Sequence, residues 1–280
     1  LFLRPRTLQD ALEALASTGG VILAGGTDIF PSLGDRPLRG TVIDISGLQE
    51  LRGIEIGAQE IVIGGRTTWS DIVSADLPRG FDGLKAAARE VGSVQIQNQA
   101  TIAGNICNAS PAADGVAALL ALDAGLTLTS AADGSRELAL SEFILGNRRT
   151  AKRPDEILTS VRIPRRLENA ASVFLKLGAR RYLVISIVMV ATNLVADEQG
   201  RISEALIAVG SCSPKSVRLP NLERALIGRS IRDDLRGAVV AEHLAPLSPI
   251  GDVRGTAAYR NDAAFTLLQR ALAACAEGAA

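Results

Sequence analysis

The chain has 280 residues, 47% of them hydrophobic, and 30 acidic side chains balance 30 basic ones. This composition predicts one large or two medium globular domains with a substantial core and argues against disorder. A formal net charge of zero and an aromatic content of 3% argue against a nucleic-acid binder, which normally shows a basic excess and stacking rings.

No signal peptide is apparent at "LFLRPRTLQDALEALAS", and no run reaches the ~18 apolar residues of a membrane helix. A soluble protein of a reducing compartment, the cytoplasm, is expected. "TLQDALEALAS" predicts an amphipathic helix with Thr7 as N-cap, ended by Gly19 and Gly20. "VILA" predicts a short buried strand, "GGTD" a turn, "IFPSLGD" a short helix or loop, and "TVIDIS" another strand. "GIEIGAQEIVIGG" alternates on both sides of a turn and predicts a hairpin. "TTWSDIVSA", capped by Thr67 or Thr68, "FDGLKAAAREV" and "GVAALLALDA" predict helices. Between the last two lies "TIAGNICNASPAAD", which reads as a glycine-containing turn. "LTLTSAADGSRELAL" predicts a hairpin turning at Asp133-Gly134, and "DEILTSVRIP" a strand ended by Pro164.

The charged segment "RRLENAA" marks a domain boundary near 165–171. Beyond it, "ASVFLKLGA", "LVISIVMVATNLVA" and "RISEALIAVGSC" predict strands. "NLERALIG", "RGAVVAEHLA" and "AAYRNDAAFTLLQRALAACAEG" predict helices. The fold class is α+β: a first half without regular β–α–β alternation, and a second half built as an antiparallel sheet covered by helices.

Cys107, Cys212 and Cys275 include no CxxC pair. They form no disulfide framework and cannot supply the four thiolates of an iron–sulfur cluster. The one histidine, His243, argues against a His-based metal site or a Ser–His–Asp triad and reads as a helix residue near a C-terminal end. Neither a phosphate-loop signature nor G-x-G-x-x-G occurs. Two other Gly-containing segments remain. In "VILAGGTDI" a strand runs into two glycines, a hydroxyl and a carboxylate. Successive amides there can form an anion-binding nest; equally, Thr27 or Asp28 can cap a helix after a tight turn. In "TIAGNICNASPAAD", Gly104 permits close approach, and Asn105, Asn108 and Ser110 offer hydrogen bonds. Ser110 and Asp114 can also serve as caps, with Pro111 at a first helical position. Two separated amide-rich turns suggest a ligand with two phosphates and a polar chain, such as a dinucleotide.

"LAGGTDI" followed by "TIAGNICNASPAADGVAALLALDA", then "EILTSVRIP", "FLKLGARR" and "DVRGTAAYR", resembles the flavin-binding subunit of the molybdenum hydroxylases. That family includes the medium subunit of carbon monoxide dehydrogenase and the flavin domain of xanthine dehydrogenase. The resemblance spans nearly the whole chain. It implies a vanillyl-alcohol-oxidase-type FAD-binding domain of two lobes over 1–167 and a C-terminal antiparallel sheet domain covered by helices over 168–280. It places the FAD pyrophosphate against Ala24, Gly25, Gly26, Thr27 and Asp28, flanked by Ile22, Leu23 and Ile29. Thr101, Ala103, Gly104 and Asn105 form a second wall, and Val91 and Gly92 touch the cofactor. Asn108 and Asp114 bond the nucleotide or ribityl chain, and Leu158 lies near the adenine. Lys176 matches a lysine near the flavin ring, where a cation favours the reduced form; a solvated strand lysine is the alternative. Beside a strand end, Tyr182 is placed to cover a flavin face, the alternative being an edge-strand or core tyrosine.

Three departures stand out. Val184 occupies a position where close relatives often carry aspartate, Ala103 stands where the family has a first glycine, and no cysteine-rich insertion is present. The resemblance implies an FAD-binding electron-transfer subunit without a catalytic acid, nucleophile or metal ligand of its own. The molybdenum cofactor would sit on a large partner subunit and [2Fe–2S] clusters on a small one, in a dimer of heterotrimers that delivers electrons to an external acceptor. The alternatives are a self-contained flavin oxidase of the same fold and a cofactor-free assembly subunit.

Overall fold

The computed structural model describes residues 1–278. The first lobe contains β1 (Phe2–Leu3), α1 (Leu8–Thr18), β2 (Val21–Leu23), α2 (Ile29–Leu33) and β3 (Val42–Asp44). Thr7 Oγ1 accepts the Asp10 amide at 3.1 Å, and Gly19 at φ 62° closes α1. Leu12 and Leu15 lie on one side of α1 and pack with Ile43 and Ile45. The three strands are parallel in the order β1-β3-β2. This is a β–α–β–α–β unit, against the expectation of no regular alternation. Strands of two or three residues are too short for a periodicity to register. As an edge strand, β2 leaves Val21 exposed rather than buried.

The second lobe begins with β4 (Ile54–Ile56), β5 (Glu60–Gly64), α3 (Trp69–Ser74), α4 (Asp82–Glu90), α5 (Val94–Gln97), α6 (Ile102–Asn108) and α7 (Asp114–Leu120). It continues with β6 (Gly125–Ser130), β7 (Gly134–Ala139), α8 (Leu140–Phe143), β8 (Ile144–Gly146), β9 (Arg149–Thr150) and β10 (Ile157–Pro164). Its antiparallel sheet has the order β4-β5-β10-β6-β7. Thr68 and Asp71 form a reciprocal capping box at the start of α3.

The segment read as a glycine-containing turn is the helix α6. Thr101 Oγ1 caps it by accepting the Gly104 amide at 3.1 Å, and Ile102 and Ile106, one turn apart, are fully buried. Burial of that pair outweighs the poor helix propensity of Gly104, Asn105 and Asn108. Ala109, in the left-handed region at φ 47°, ends the helix. Pro111 lies upstream of α7 rather than at its first position, and Ser110 Oγ accepts the Ala112 amide at 3.3 Å instead of capping α7.

The C-terminal part holds β11 (Ala171–Leu177), β12 (Val188–Ala196), β13 (Ile202–Gly210), β14 (Val217–Arg218), α9 (Pro220–Leu226) and α10 (Ala257–Gly278). The strands pair antiparallel in chain order. Side chains alternate between two cores. Phe174, Met189, Ala191, Leu206 and Ala208 join Leu84, Ala87 and Val116 of the second lobe, and Val188, Val190, Ile207 and Val209 join Ala264, Leu268 and Leu272 of α10. The sheet is thus covered by α4 and α7 on one face and by α9 and α10 on the other.

Two C-terminal expectations are corrected. The strand expected from Leu183 begins at Val188, because 178–187 forms a loop. "RGAVVAEHLA" forms two 3-10 turns, Leu235–Ala238 and Ala241–Leu244, rather than an α-helix. The β-branched pair Val239-Val240 separates them in extended conformation. His243 lies in the second, where Nδ1 accepts the Val240 amide at 3.3 Å. Among the described residues no helix is long and apolar enough to cross a membrane.

Candidate cofactor site between the two lobes

Where the first lobe meets the second, a cavity of 530 Å³ opens, within the roughly 300–1,000 Å³ range of small-molecule sites. One wall is the turn from β2 into α2. Gly25 brings that turn onto the backbone of the second lobe. A Cβ there would collide with the Gln99 carbonyl group, whose carbon would lie 2.7 Å away. Gly26 takes φ +69°, a conformation that glycine adopts without strain. Among the described residues, the N–H groups of Ala24, Gly25, Gly26, Thr27 and Asp28 have no hydrogen-bond acceptor in the protein. Residues 24–27 are half-buried and Asp28 is exposed, so these amides face water at the cavity and are free to donate to an acceptor outside the chain.

The opposite wall behaves differently from the expected second amide-rich turn. The amides of Ile102 and Ala103 donate to Thr67 and Gly65 carbonyls at 3.0 and 3.1 Å. Those of Gly104 and Asn105 donate to Thr101 Oγ1 and the Thr101 carbonyl at 3.1 and 3.0 Å. The first turn of α6 therefore has no spare donors. Its contribution is space: a Cβ on Gly104 would meet only Thr101 Oγ1, at 2.9 Å, within 4 Å. A free-amide turn facing bare backbone at Gly104 fits an elongated anionic ligand such as a dinucleotide diphosphate.

The cavity lining includes Ile22, Ala24, Gly25, Gly26, Thr27, Asp28, Ile29, Val91, Thr101, Ala103, Gly104, Asn105, Asn108 and Leu158. Leu23, Gly92, Asp114, Lys176 and Tyr182 do not line it. Leu23 is buried near Gly26, and Gly92 turns beneath the Ile96 side chain. Lys176 lies two residues after Phe174 on β11 and so shares its face, toward the second lobe. Its ammonium donates to Asp114 Oδ2 at 2.7 Å and to the Glu90 carbonyl at 3.1 Å. The Ser186 hydroxyl donates to Asp114 Oδ1 at 2.7 Å. Burial pushes the Asp114 pKa up, with Lys176 and the Ser186 hydrogen bond acting against it. Lys176 and Asp114 are thus ion-paired with each other, and neither lines the cavity. Tyr182 stands on the 178–187 loop, largely exposed, with the Arg181 guanidinium 5.5 Å from its ring centre.

Two cations at the cavity, Lys152 and Arg148, and the thiol of Cys107 were not predicted as site residues. Lys152 and Cys107 line it. Cys107 is only partly covered from solvent, yet dense protein around it pushes the thiol up to about 11 against the opposing charge of Lys152. Arg148 donates to Asn108 Oδ1 beside Asp28. The signal for Arg148 and Lys152 in the sequence was a charged run, "NRRTAKR", which does not indicate which cation turns inward. A second depression of 670 Å³, around the turn between β12 and β13, includes none of the predicted residues.

Residues 2–166 match the family model described as the FAD binding domain in molybdopterin dehydrogenase, and residues 174–275 match that of the CO dehydrogenase flavoprotein C-terminal domain. The chain is 31% identical over 275 residues to the glyceraldehyde dehydrogenase medium chain of Sulfolobus acidocaldarius, with 96% of each covered. It is 35% identical over 235 residues to the nicotinate dehydrogenase FAD-subunit of Eubacterium barkeri, covering 81% of this chain and 79% of that one. It superposes on a chain of reconstituted CO dehydrogenase from Oligotropha carboxidovorans with a TM-score of 0.91 at 26% identity, across 99% of this chain and 97% of that one. With both family models matched in order along almost the entire chain, the protein belongs to the FAD-binding medium subunits of the molybdenum hydroxylases, flavoprotein components of oxidoreductase complexes.

Proposed function

We propose that this chain is the electron-transfer subunit of a cytoplasmic, heteromeric molybdenum hydroxylase. It stands between [2Fe–2S] centres on a small partner subunit and an external acceptor such as NAD⁺, a quinone or dioxygen. Substrate is oxidised at a molybdenum cofactor on a large partner subunit, and the assembly is a dimer of heterotrimers. Whole-length similarity to proteins named as medium chains supports this division of labour. Residues 1–167 form the FAD domain and 168–280 the C-terminal domain in this reading.

The observation that carries the reading is the unpartnered amide run of residues 24–28, which faces α6 across the cavity. Bound FAD supplies the redox chemistry. The chain's own residues bind and orient it. The amides of Ala24 to Asp28 hold the diphosphate, and the Thr27 hydroxyl adds a donor. Gly104 leaves room for it against α6. Ile22, Ile29, Val91 and Leu158 exclude water around the nucleotide, and Asn108 ties the two walls together by donating to Asp28 Oδ2 at 2.6 Å. No side chain acts as a catalytic acid or nucleophile.

The test is the visible absorption of the purified chain, with the released cofactor identified by chromatography. FAD is the expected result; a colourless chain that takes up no flavin contradicts the reading. Co-purification from the native host separates it from a self-contained flavin oxidase, which would bring no molybdenum or iron–sulfur partner.

A further inference from the structure

The turn that offers free amides to an anion also carries a carboxylate. Asp28 lies at the cavity mouth with its side chain 57% exposed. A diphosphate held by amides 24–28 would lie beside this like charge, which opposes binding. The structure supplies an answer from two other segments. Asn108, at the end of α6, donates to Asp28 Oδ2 at 2.6 Å. Arg148, between β8 and β9, donates to Asn108 Oδ1, and its Nη1 stands 3.9 Å from Asp28 Oδ1. Lys152, the other cation at the cavity, is directed elsewhere: its ammonium donates to the Arg153 and Glu156 carbonyls, both at 3.0 Å.

The backbone that presents Arg148 is unusual. Arg148 has φ 57°, and its amide donates at 2.9 Å to the carbonyl of Ala109, which has φ 47°. Non-glycine residues in the left-handed region are uncommon, and such positions gather at binding sites. Here two of them, hydrogen-bonded to each other, fix the guanidinium and the end of α6 beside the same carboxylate.

We propose that Arg148 is a positioning residue of the FAD site, which neutralises Asp28 across the Asn108 bridge so that the diphosphate meets the 24–28 amides without facing a bare carboxylate. The inference rests on the FAD reading above. As an exposed pair, Arg148 and Asp28 add little to folding stability. Their effect appears when a ligand displaces water from the mouth and the local dielectric falls.

The test is FAD titration of the full 280-residue chain after its flavin has been stripped, followed by flavin fluorescence, for wild type, Arg148→Gln, Asp28→Asn and the double variant. Thermal melting of the stripped forms checks the fold, and Arg148→Gly repeats the charge deletion with a residue suited to φ 57°. Arg148→Gln is expected to weaken FAD binding about 10-fold, a change of about 1.4 kcal/mol, with an unchanged melting temperature. Adding Asp28→Asn is expected to restore affinity to within about twofold of wild type, because the neighbouring residues couple non-additively. A merely structural Arg148 would not be rescued by deleting a carboxylate.

Unchanged affinity in both Arg148 variants overturns the proposal. So does a loss that Asp28→Asn fails to rescue, which would make Arg148 a direct phosphate ligand. A wild type that takes up no FAD overturns the FAD reading and this inference with it. A wild type that binds FAD alongside an indifferent Arg148→Gln overturns this inference alone.

Discussion

Replacing Lys176 by methionine should strand the Asp114 carboxylate between α7 and the C-terminal sheet. The two side chains are 5% and 9% exposed and 2.7 Å apart. At an effective dielectric of ~20 their gross attraction is about 6 kcal/mol, most of which offsets the desolvation of two ions. Without Lys176, the Ser186 hydroxyl at 2.7 Å is the carboxylate's remaining donor among the described residues. The expected loss is ~3–5 kcal/mol. For a chain this long the unfolding entropy is about 0.6 kcal/mol/K, so the melting temperature should drop by ~5–8 °C. Removing both charges, Lys176→Met with Asp114→Leu, should recover most of that loss. Burial raises the Asp114 pKa, so the folded state holds this proton more tightly than the unfolded chain. The cost of the single variant should therefore shrink as pH falls and the carboxyl becomes protonated. The assay is urea unfolding followed by the fluorescence of Trp69, the sole tryptophan, whose ring lies where a Cβ of Gly115 would be, next to Asp114. An unchanged midpoint for Lys176→Met, or a double variant as unstable as the sum of its singles, would refute the reasoning.

Gly25→Ala and Gly104→Ala should separate packing from binding. The first drives a methyl into the Gln99 carbonyl group and should cost ~1–3 kcal/mol together with FAD affinity. The second meets only Thr101 Oγ1 and should weaken FAD binding with a smaller change in denaturation midpoint; equal stability losses would count against this assignment of the walls. The Asp252 carboxyl is held down to about 2, first by the Arg254 amide and then by the Arg260 side chain. Its stabilising contribution is present above the unfolded value of about 3.9 and should fade as pH falls toward 2, seen as a falling protection factor of the Arg254 amide, its exchange rate taken relative to the unfolded chain at the same pH. Asp252→Asn should flatten that profile, and a profile unaltered by the substitution would remove Asp252 as its source. Burial lifts Cys107, Cys212 and Cys275 each to about 11, leaving a thiolate fraction of ~0.1% at pH 8. Iodoacetamide should therefore label the native chain slowly and the urea-unfolded chain fast, and rapid native labelling would contradict these environments.

What the sequence made legible follows from how local each signal was. The Thr7 and Thr68 caps and the hairpin at Asp133-Gly134 are encoded within four or five residues, and each forms where expected. The parallel sheet of the first lobe was hidden because β1 and β3 are two and three residues long and pair across the chain. Helix α6 was misread because Gly104 and the two asparagines suggested a loop, although Thr101 followed by Ile102 and Ile106 already spelled a cap and a buried stripe. At the site, "AGGTD" was legible as an amide-rich turn. Its partner wall was legible in position but not in mechanism, since tertiary hydrogen bonds to Gly65 and Thr67 consume its donors. The burial of Lys176 against Asp114 and the approach of Arg148 to Asp28 are long-range pairings with no local signature.

The most direct test of the central claim is an FAD titration of the flavin-stripped chain, with bound cofactor counted against protein. Saturation at one FAD per chain, abolished in a folded Gly26→Val/Gly104→Val variant, is the predicted result. Failure to bind FAD, or a double variant that still binds it stoichiometrically, would contradict the assignment of the cavity between the lobes.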